Sequence, residues 1–130
     1  MIKVLIPSSK EYPFYRKECK KMYIKVQEKI TDKNCFEFIE KHTYYYCFID
    51  KKGLIGVAYY FIDDGKIFIN GFSKRKRYPK NVECIKLSLS WFKPPIYAEI
   101  QNRASALCLL KAGFQKFRPN LMIYEKKYTV

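Results

Sequence analysis

The sequence lacks the histidine and cysteine patterns from which metal sites and disulfide frameworks are built. Its single histidine, His42, has no cysteine at zinc-ligand spacing, and no two cysteines form a Cys-x-x-Cys pair. These absences argue against a zinc site and a disulfide scaffold, and no metal site is predicted. The odd number of cysteines, mostly in apolar segments, predicts reduced and buried thiols, as in a cytosolic protein. The five cysteines are Cys19, Cys35, Cys47, Cys84 and Cys108.

Long apolar runs are also missing. No stretch approaches the roughly 18 consecutive apolar residues of a membrane span, and no N-terminal apolar segment precedes a small-residue cleavage site. The sequence therefore predicts a soluble protein without a membrane partner, located in the cytoplasm, or in a virion if the gene is viral. No repeat or linker interrupts the chain, so residues 1–130 are expected to form a single domain.

Acidic residues are scarce. The chain has 12 Asp and Glu against 26 Lys and Arg, which gives a formal net charge of +14 at pH 7. Such a charge favours acidic partners or polyanions by long-range attraction. An AT-rich genome, which raises Lys together with Ile, Tyr, Phe and Asn, is an equally open explanation. Large apolar side chains are abundant, at 48% hydrophobic and 18% aromatic residues, and they predict a packed core.

Apolar periodicity and turn signals predict secondary-structure elements in the order β-α-α-β-β-β-α-β-α-β-β. The predicted strands cover residues 2–7, 44–50, 54–63, 66–72, 96–100, 114–117 and 121–127. The predicted helices cover residues 10–29, 33–42, 82–92 and 102–113. Because a strand, a helix and a strand in succession normally form a parallel crossover, we expect an α/β (α+β) fold. Its mixed, mostly antiparallel sheet should have about seven strands, with helices on both faces.

Local signals predict how the helices begin and which side of the first helix is buried. Ser8–Ser9 offers an N-cap for the first helix, and Asp32 offers one for the second. The positions of the first helix expected to face the core are Phe14, Met22, Val26 and Ile30. In the second helix, Phe36 and Ile39 are expected to face inward, with Cys35 as a further candidate.

Residues 102–114 read NRASALCLLKAGF, and this stretch resembles a signature of the GNAT superfamily of acyl-CoA-dependent N-acyltransferases. The signature is N-x-A-S, a mostly apolar run, and then K-x-G-F, as in the branch that acetylates protein N-termini, including ribosomal-protein acetyltransferases. The matching positions are Asn102, Ala104, Ser105, Lys111, Gly113 and Phe114. Residues 48–61, FIDKKGLIGVAYYF, are similar to the second and third strands of the family, and the resemblance covers about residues 30–127.

The resemblance implies a GNAT fold whose fourth and fifth strands splay apart, with the pantetheine arm of the cofactor in the gap. These strands would be residues 66–72 and 96–100. The implied activity is acetyl-CoA-dependent N-acetylation of a protein or peptide amine, with acetyl-CoA as co-substrate. The implied cofactor-binding residues near the gap are Asn70, Gly71, Phe72, Ser73 and Asn102. Asn is also a good helix N-cap, so a capping role and a ligand-binding role for Asn102 both remain open.

The chain departs from the family where the cofactor pyrophosphate should bind. The family has R or Q, two residues, G, one residue, and G or A, whose backbone N–H groups approach the phosphates. Residues 71–81 read GFSKRKRYPKN instead, with no glycine after Gly71, and Pro79 has no N–H. Three interpretations stay open: basic side chains replace these amides, the loop binds a nucleic-acid backbone or an acidic protein, or the loop is merely solvated. The basic cofactor-binding candidates are Arg75, Lys76, Arg77 and Lys80.

Acyl transfer needs a neutral amine, so a base must remove the ammonium proton. Glu99 on the fifth strand is the predicted base, and Ser105 is predicted to orient the substrate or the leaving sulfur. Many family members carry a tyrosine acid in the last helix, where this chain has Leu109 and Leu110. The alternative prediction is therefore a catalytically inactive GNAT-fold protein, structural or binding, for example virus-encoded and particle-associated, that uses its basic surface.

Overall fold

The computed structural model describes residues 1–27 and 29–125, with the backbone alone at Arg75. Lys126 and Lys127, the end of the predicted last strand, lie outside the described residues. The strands are β1 (Lys3–Leu5), β2 (Tyr44–Asp50), β3 (Gly53–Asp63), β4 (Lys66–Ser73), β5 (Ile96–Glu99), β6 (Gln115–Arg118) and β7 (Leu121–Tyr124). The helices are α1 (Tyr12–Val26), α2 (Phe36–Glu40), α3 (Lys80–Leu89) and α4 (Arg103–Ala112), and a 3₁₀ turn at Arg75–Arg77 precedes α3.

The strands form one sheet in the order β1-β2-β3-β4-β5-β7-β6. Neighbouring strands are antiparallel except β4 and β5, which run parallel and are connected through α3. The predicted order of elements is confirmed. So is the predicted α+β class, with a mixed, mostly antiparallel sheet of seven strands within the described residues.

Helices cover both faces of the sheet, as predicted. On one face, α1 and α2 pack over a core that contains the almost fully buried Tyr23, Phe36 and Tyr45. On the other face, α3 and α4 contribute Leu89 and Leu109 to a second core layer. Burying a large apolar side chain stabilises a fold by roughly 1.5–3 kcal/mol. These two layers therefore hold the helices in place around the sheet.

The buried side of α1 differs from the prediction. Its buried residues are Tyr12, Cys19 and Tyr23, whereas Phe14 is 82% exposed and Val26 is 54% exposed. The residues predicted to face the core are all half-buried or exposed: Phe14, Met22, Val26 and Ile30. Met22 packs partly against the core, whereas the prediction was wrong for Phe14, Val26 and Ile30. Two tyrosines and a cysteine form the fully buried part of this helix.

The predicted N-caps of the first two helices were also wrong. The N-cap positions are Glu11 for α1 and Cys35 for α2, and neither makes a side-chain cap hydrogen bond. Ser8–Ser9 lies before the N-cap of α1. Near Asp32, the two ends of residues 31–34 exchange backbone hydrogen bonds of 3.1 and 3.3 Å. This turn uses the backbone groups that an earlier helix start would need, so α2 begins later than predicted.

The described cysteines are all free thiols. Cys19, Cys47 and Cys84 are buried, while Cys35 and Cys108 are half-buried, so the prediction of buried thiols holds for three of the five. Across residues 1–27 and 29–125, no helix combines the length and apolar character needed to cross a bilayer.

Candidate functional site

The parallel strands β4 and β5 stay together over only a short distance. They pair at Ile67 with Ile96 and at Phe68 with Tyr97. Beyond these two pairs, β4 continues to Ser73, whereas β5 ends at Glu99 and the chain turns into α4. A gap therefore opens between the two strands, and a cavity of about 130 Å³ lies in it.

The cavity lies between the sheet and the pair of helices α3 and α4. Its apolar wall includes Phe48, Ile55, Ala58, Ile69, Ile85, Ala98 and Leu109. Its polar or thiol-bearing lining includes Asn70, Ser73, Asn81, Cys84, Glu99, Ser105 and Cys108. An apolar cavity with a few polar groups is the usual form of a small-molecule site.

One wall of the gap is the edge of β4. Lys74 N–H donates to Ile55 O on β3 over 3.0 Å. Since backbone groups alternate sides along a strand, those of Ile69, Gly71 and Ser73 point away from β3 and toward the gap. An extended chain with amide groups can pair with a strand edge of this kind. Apart from the Gly71 N–H, which donates to the Asn70 side chain, these groups provide backbone donors and acceptors at the edge of a mostly apolar cavity.

The gap connects the two faces of the sheet. Ile69 and Ala98 belong to the core layer under α3 and α4, so their neighbours Asn70 and Glu99 point to the opposite face. Asn70 is held there by three contacts: Oδ1 accepts from Gly71 N–H (2.8 Å) and from the Gln101 amide (3.3 Å), and Nδ2 donates to the Tyr59 hydroxyl (3.0 Å). Two reactants could therefore reach the gap from different sides.

Helix α4 presents Ser105 and Cys108 to the cavity, and its two ends are set by local sequence. Asn102 is the N-cap, and its side chain accepts from Ser105 N–H over 2.8 Å. Replacing such a cap typically costs about 1 kcal/mol. At the other end, Gly113 takes a φ of 109°, and Phe114 N–H bonds back to Leu109 O over 3.0 Å. The capping role of Asn102 is confirmed, and Gly113 ends the helix in the left-handed conformation that glycine favours.

The Ser105 hydroxyl is already engaged within α4. Its Oγ accepts from Asn102 N–H (3.2 Å) and donates to Asn102 O (2.9 Å), which completes a capping box. Ser105 therefore reaches the cavity wall while holding the start of the helix in place.

The two cavity thiols are not activated nucleophiles. Burial raises the pKa of Cys84 to about 12. Burial also raises the pKa of Cys108, although the hydrogen bond from Asn81 to its sulfur (3.6 Å) acts in the opposite direction. Because the thiolate is the reactive form, the raised pKa values slow the reactions of both thiols at neutral pH.

Asn81, in the first turn of α3, bridges the two sides of the cavity. Its Nδ2 donates to Ser73 Oγ on β4 over 3.2 Å and to Cys108 Sγ on α4 over 3.6 Å. Its Oδ1 is buried and has no hydrogen-bond partner within the part of the chain that the structure describes. Buried polar atoms are normally paired, so this oxygen marks a point where a ligand or a water belongs.

Arg77, in the basic loop before α3, is directed inward. Its guanidinium donates to Asp50 at the end of β2, and the two side chains are only 12% and 7% exposed. The hydrogen bond from Arg77 holds the pKa of Asp50 below its ordinary value. The stabilisation from this pair is therefore complete above the ordinary carboxyl pKa and is lost as the pH falls through the lowered value. The pair ties the loop to the sheet.

Other cations of the loop also have carboxylate partners. Lys74 Nζ lies 3.2 Å from Glu18 on α1, and Lys80 Nζ lies 3.3 Å from Glu83 within α3. Lys76, by contrast, is exposed. Exposed ion pairs contribute little and can exchange partners, so Lys74 and Lys80 stay available to an anion, whereas the buried Arg77 is committed to the fold.

The structure brings part of the predicted site together. Six predicted residues line the cavity: Asn70, Gly71, Phe72, Ser73, Glu99 and Ser105. Four others lie outside its lining: Lys76, Arg77, Lys80 and Asn102. The side chain of Arg75 is outside what the structure describes. Glu99 is exposed at the end of β5. Among residues 1–27 and 29–125, no cluster of three or more metal-ligating side chains occurs.

No sequence signal pointed to Asn81 as a site residue, and only a weak signal pointed to Cys108. Cys108 follows Ser105 by three residues and therefore shares its helix face, a relation that helical spacing alone can reveal. Asn81 is a single polar residue in a basic stretch, and its direction depends on how α3 packs against α4. No protein-family model matches the chain, and no curated protein matches it either.

Proposed function

We propose that the chain is an acetyl-CoA-dependent N-acetyltransferase with a GNAT fold, acting on a protein or peptide amine. The observation that carries the proposal is the gap between β4 and β5, where two parallel strands separate over a mostly apolar cavity. A strand edge whose backbone groups face the gap suits the extended pantetheine arm, and the cavity suits the short acyl end. The resemblance of residues 102–114 to the GNAT signature supports the same assignment.

The donor arm is proposed to enter from the side of α3 and α4. There the edge of β4 supplies the backbone groups of Ile69, Gly71 and Ser73, and Cys108 borders the path on α4. The cofactor phosphates would lie near the start of α3, where the helix dipole favours anions. Lys76, exposed in the loop, supplies charge where the family uses glycine amides.

The acceptor amine is proposed to approach from the opposite face, where Glu99 lies. The Glu99 carboxylate would take a proton from the ammonium group, directly or through water, so that the nitrogen lone pair can attack the thioester carbon. The donors for the negative carbonyl oxygen are the gap-facing N–H groups of Ile69 and Ser73 on β4, since the Gly71 N–H already donates to Asn70. The carbon–sulfur bond then breaks, the acetylated nitrogen gives its second proton to the departing thiolate or to water, and CoA leaves.

The net positive charge of the chain indicates which class of acceptor it attracts. A net charge of +14 repels small basic polyamines and attracts an acidic protein surface or a ribonucleoprotein. We therefore place the acceptor amine on an acidic macromolecule, of which a protein or peptide is the first choice.

A second candidate function is favoured by the ion pairs of the basic loop. Arg77 is committed to Asp50, and no glycine follows Gly71 before α3, so the phosphate cradle of the family is reduced. These two features would also be found in a GNAT-fold protein that has no catalytic activity and serves as a structural or binding protein. Its basic surface would then be the functional feature.

Calorimetric titration with acetyl-CoA separates the two candidates. We expect binding in the micromolar range, which corresponds to roughly −8 kcal/mol, and weaker binding at high salt because the phosphate contacts are exposed. Lys76→Ala should weaken binding several-fold. Lys93→Ala, which removes an equal charge beyond the far end of α3, is the matched control and should have no effect. Absence of binding at roughly millimolar acetyl-CoA would exclude the enzyme.

A further inference from the structure

Asn81 is half-buried at the cavity, and one atom of its carboxamide is buried and unpaired within the described residues. One end of its carboxamide contacts Ser73 Oγ and Cys108 Sγ, and the other end, Oδ1, is buried without a partner among the described residues. The hydroxyl and the thiol can each donate or accept a hydrogen bond. A half-turn of the carboxamide therefore changes which amide atom is free, but one atom remains unpaired in both orientations.

The position of Asn81 is set by three separate elements. It lies in the first turn of α3, and its partners Ser73 and Cys108 belong to β4 and α4. These contacts orient the carboxamide across the cavity before any ligand arrives. A polar group preorganised in this way favours a ligand that can complete its hydrogen bonding.

We propose that Asn81 is a ligand-binding residue that recognises an amide group of the acyl donor's arm. This inference rests on the proposed function, because the arm named here is that of acetyl-CoA. A secondary amide carries both an N–H and a C=O, so it pairs with whichever atom of Asn81 is free. The edge of β4 at Ile69, Gly71 and Ser73 runs along the same cavity, and the remaining polar atom of the ligand amide pairs with it.

The mainly apolar wall favours this occupant over a trapped water. A buried water usually makes about three hydrogen bonds to the protein. The cavity that Asn81 lines is walled largely by apolar side chains such as Ile85 and Leu109. An amide flanked by methylene groups satisfies the one polar atom and also covers these apolar surfaces.

The test is Asn81→Leu, which keeps the approximate size of the side chain and removes its polarity. The unliganded variant should melt close to the temperature of the wild type, because removal of an unpaired buried oxygen offsets the loss of the hydrogen bonds to Ser73 and Cys108. Its dissociation constant for acetyl-CoA, measured by calorimetry, should rise about tenfold. A purely structural asparagine would show the reverse pattern, with a lower melting temperature and unchanged affinity.

Asn34→Leu is the matched control. The Asn34 side chain is paired at both ends: Nδ2 donates to Gln27 Oε1 (3.1 Å) and to Lys29 O (2.8 Å), and Oδ1 accepts from the Tyr23 hydroxyl. This variant should lose stability and keep its affinity for acetyl-CoA. Unchanged affinity in Asn81→Leu would overturn the inference, whereas a wild type that does not bind acetyl-CoA would overturn the proposed function itself.

Discussion

Replacing Cys108 with phenylalanine is expected to weaken acetyl-CoA binding by at least about 100-fold, or roughly 2.8 kcal/mol. Cys108 is half-buried on α4 and lines the cavity of about 130 Å³. A phenyl ring at this position would fill the space assigned to the donor arm. Because the ring occupies an existing cavity, the melting temperature should change little. Calorimetric titration and thermal melting measure the two effects.

Leu107→Phe is the control for this variant. Leu107 is the preceding residue of the same helix, but it is 50% exposed and is absent from the cavity lining. Its affinity for acetyl-CoA should equal that of the wild type. Cys108→Leu introduces a smaller side chain, and leucine is a good helix former. This variant should therefore show an intermediate loss of affinity for acetyl-CoA. Tight binding by Cys108→Phe, with the fold intact, would show that the donor arm lies elsewhere.

Replacing Gly71 with alanine is expected to lower the free energy of unfolding by about 1–3 kcal/mol. A Cβ atom at Gly71 would overlap the backbone oxygen of Val57 on β3. Across the same ladder, a Cβ at Gly56 would approach Phe72 O to 2.8 Å. Two neighbouring strands are therefore packed too closely for any side chain at these positions, and β3 must move away from β4 to admit one.

Chemical denaturation measures this effect. The urea midpoint of Gly71→Ala should fall, while Ile62→Ala, at a site on β3 that is 71% exposed, should leave the midpoint nearly unchanged. Since Gly71 also borders the gap, its substitution should weaken acetyl-CoA binding. An unchanged midpoint would mean that the close approach of the strands is not a constraint on the fold.

Much of the fold could be predicted because its signals are local. The turn at Asp64–Gly65 is an example: both residues take positive φ values, 50° and 72°, as the Asp-Gly pair predicts. The start of α4 at Asn102 and its end at Gly113 are likewise determined by residues a few positions apart. Strong strand runs between such signals gave the correct order of elements.

The features that failed or were missed depend on tertiary contacts. The buried side of α1 is formed by Tyr12, Cys19 and Tyr23, residue types that periodicity analysis ranks below aliphatic ones. The ion pair between Arg77 and Asp50 joins residues that are 27 positions apart. The run of cations in the sequence therefore could not reveal which of its members is buried. For the same reason, the location of Asn81 at the cavity could not be predicted, because it depends on how α3, α4 and β4 pack together.

The most direct measurement of the central claim is the rate at which Cys108 is alkylated by N-ethylmaleimide with and without saturating acetyl-CoA, followed by peptide mass spectrometry. Cys35, also half-buried but outside the lining of the cavity, is an internal control in the same molecule. The proposed site predicts that acetyl-CoA slows the labelling of Cys108 and leaves the rate at Cys35 unchanged. Equal labelling of Cys108 in the presence and absence of the cofactor would contradict a donor arm in the gap between β4 and β5.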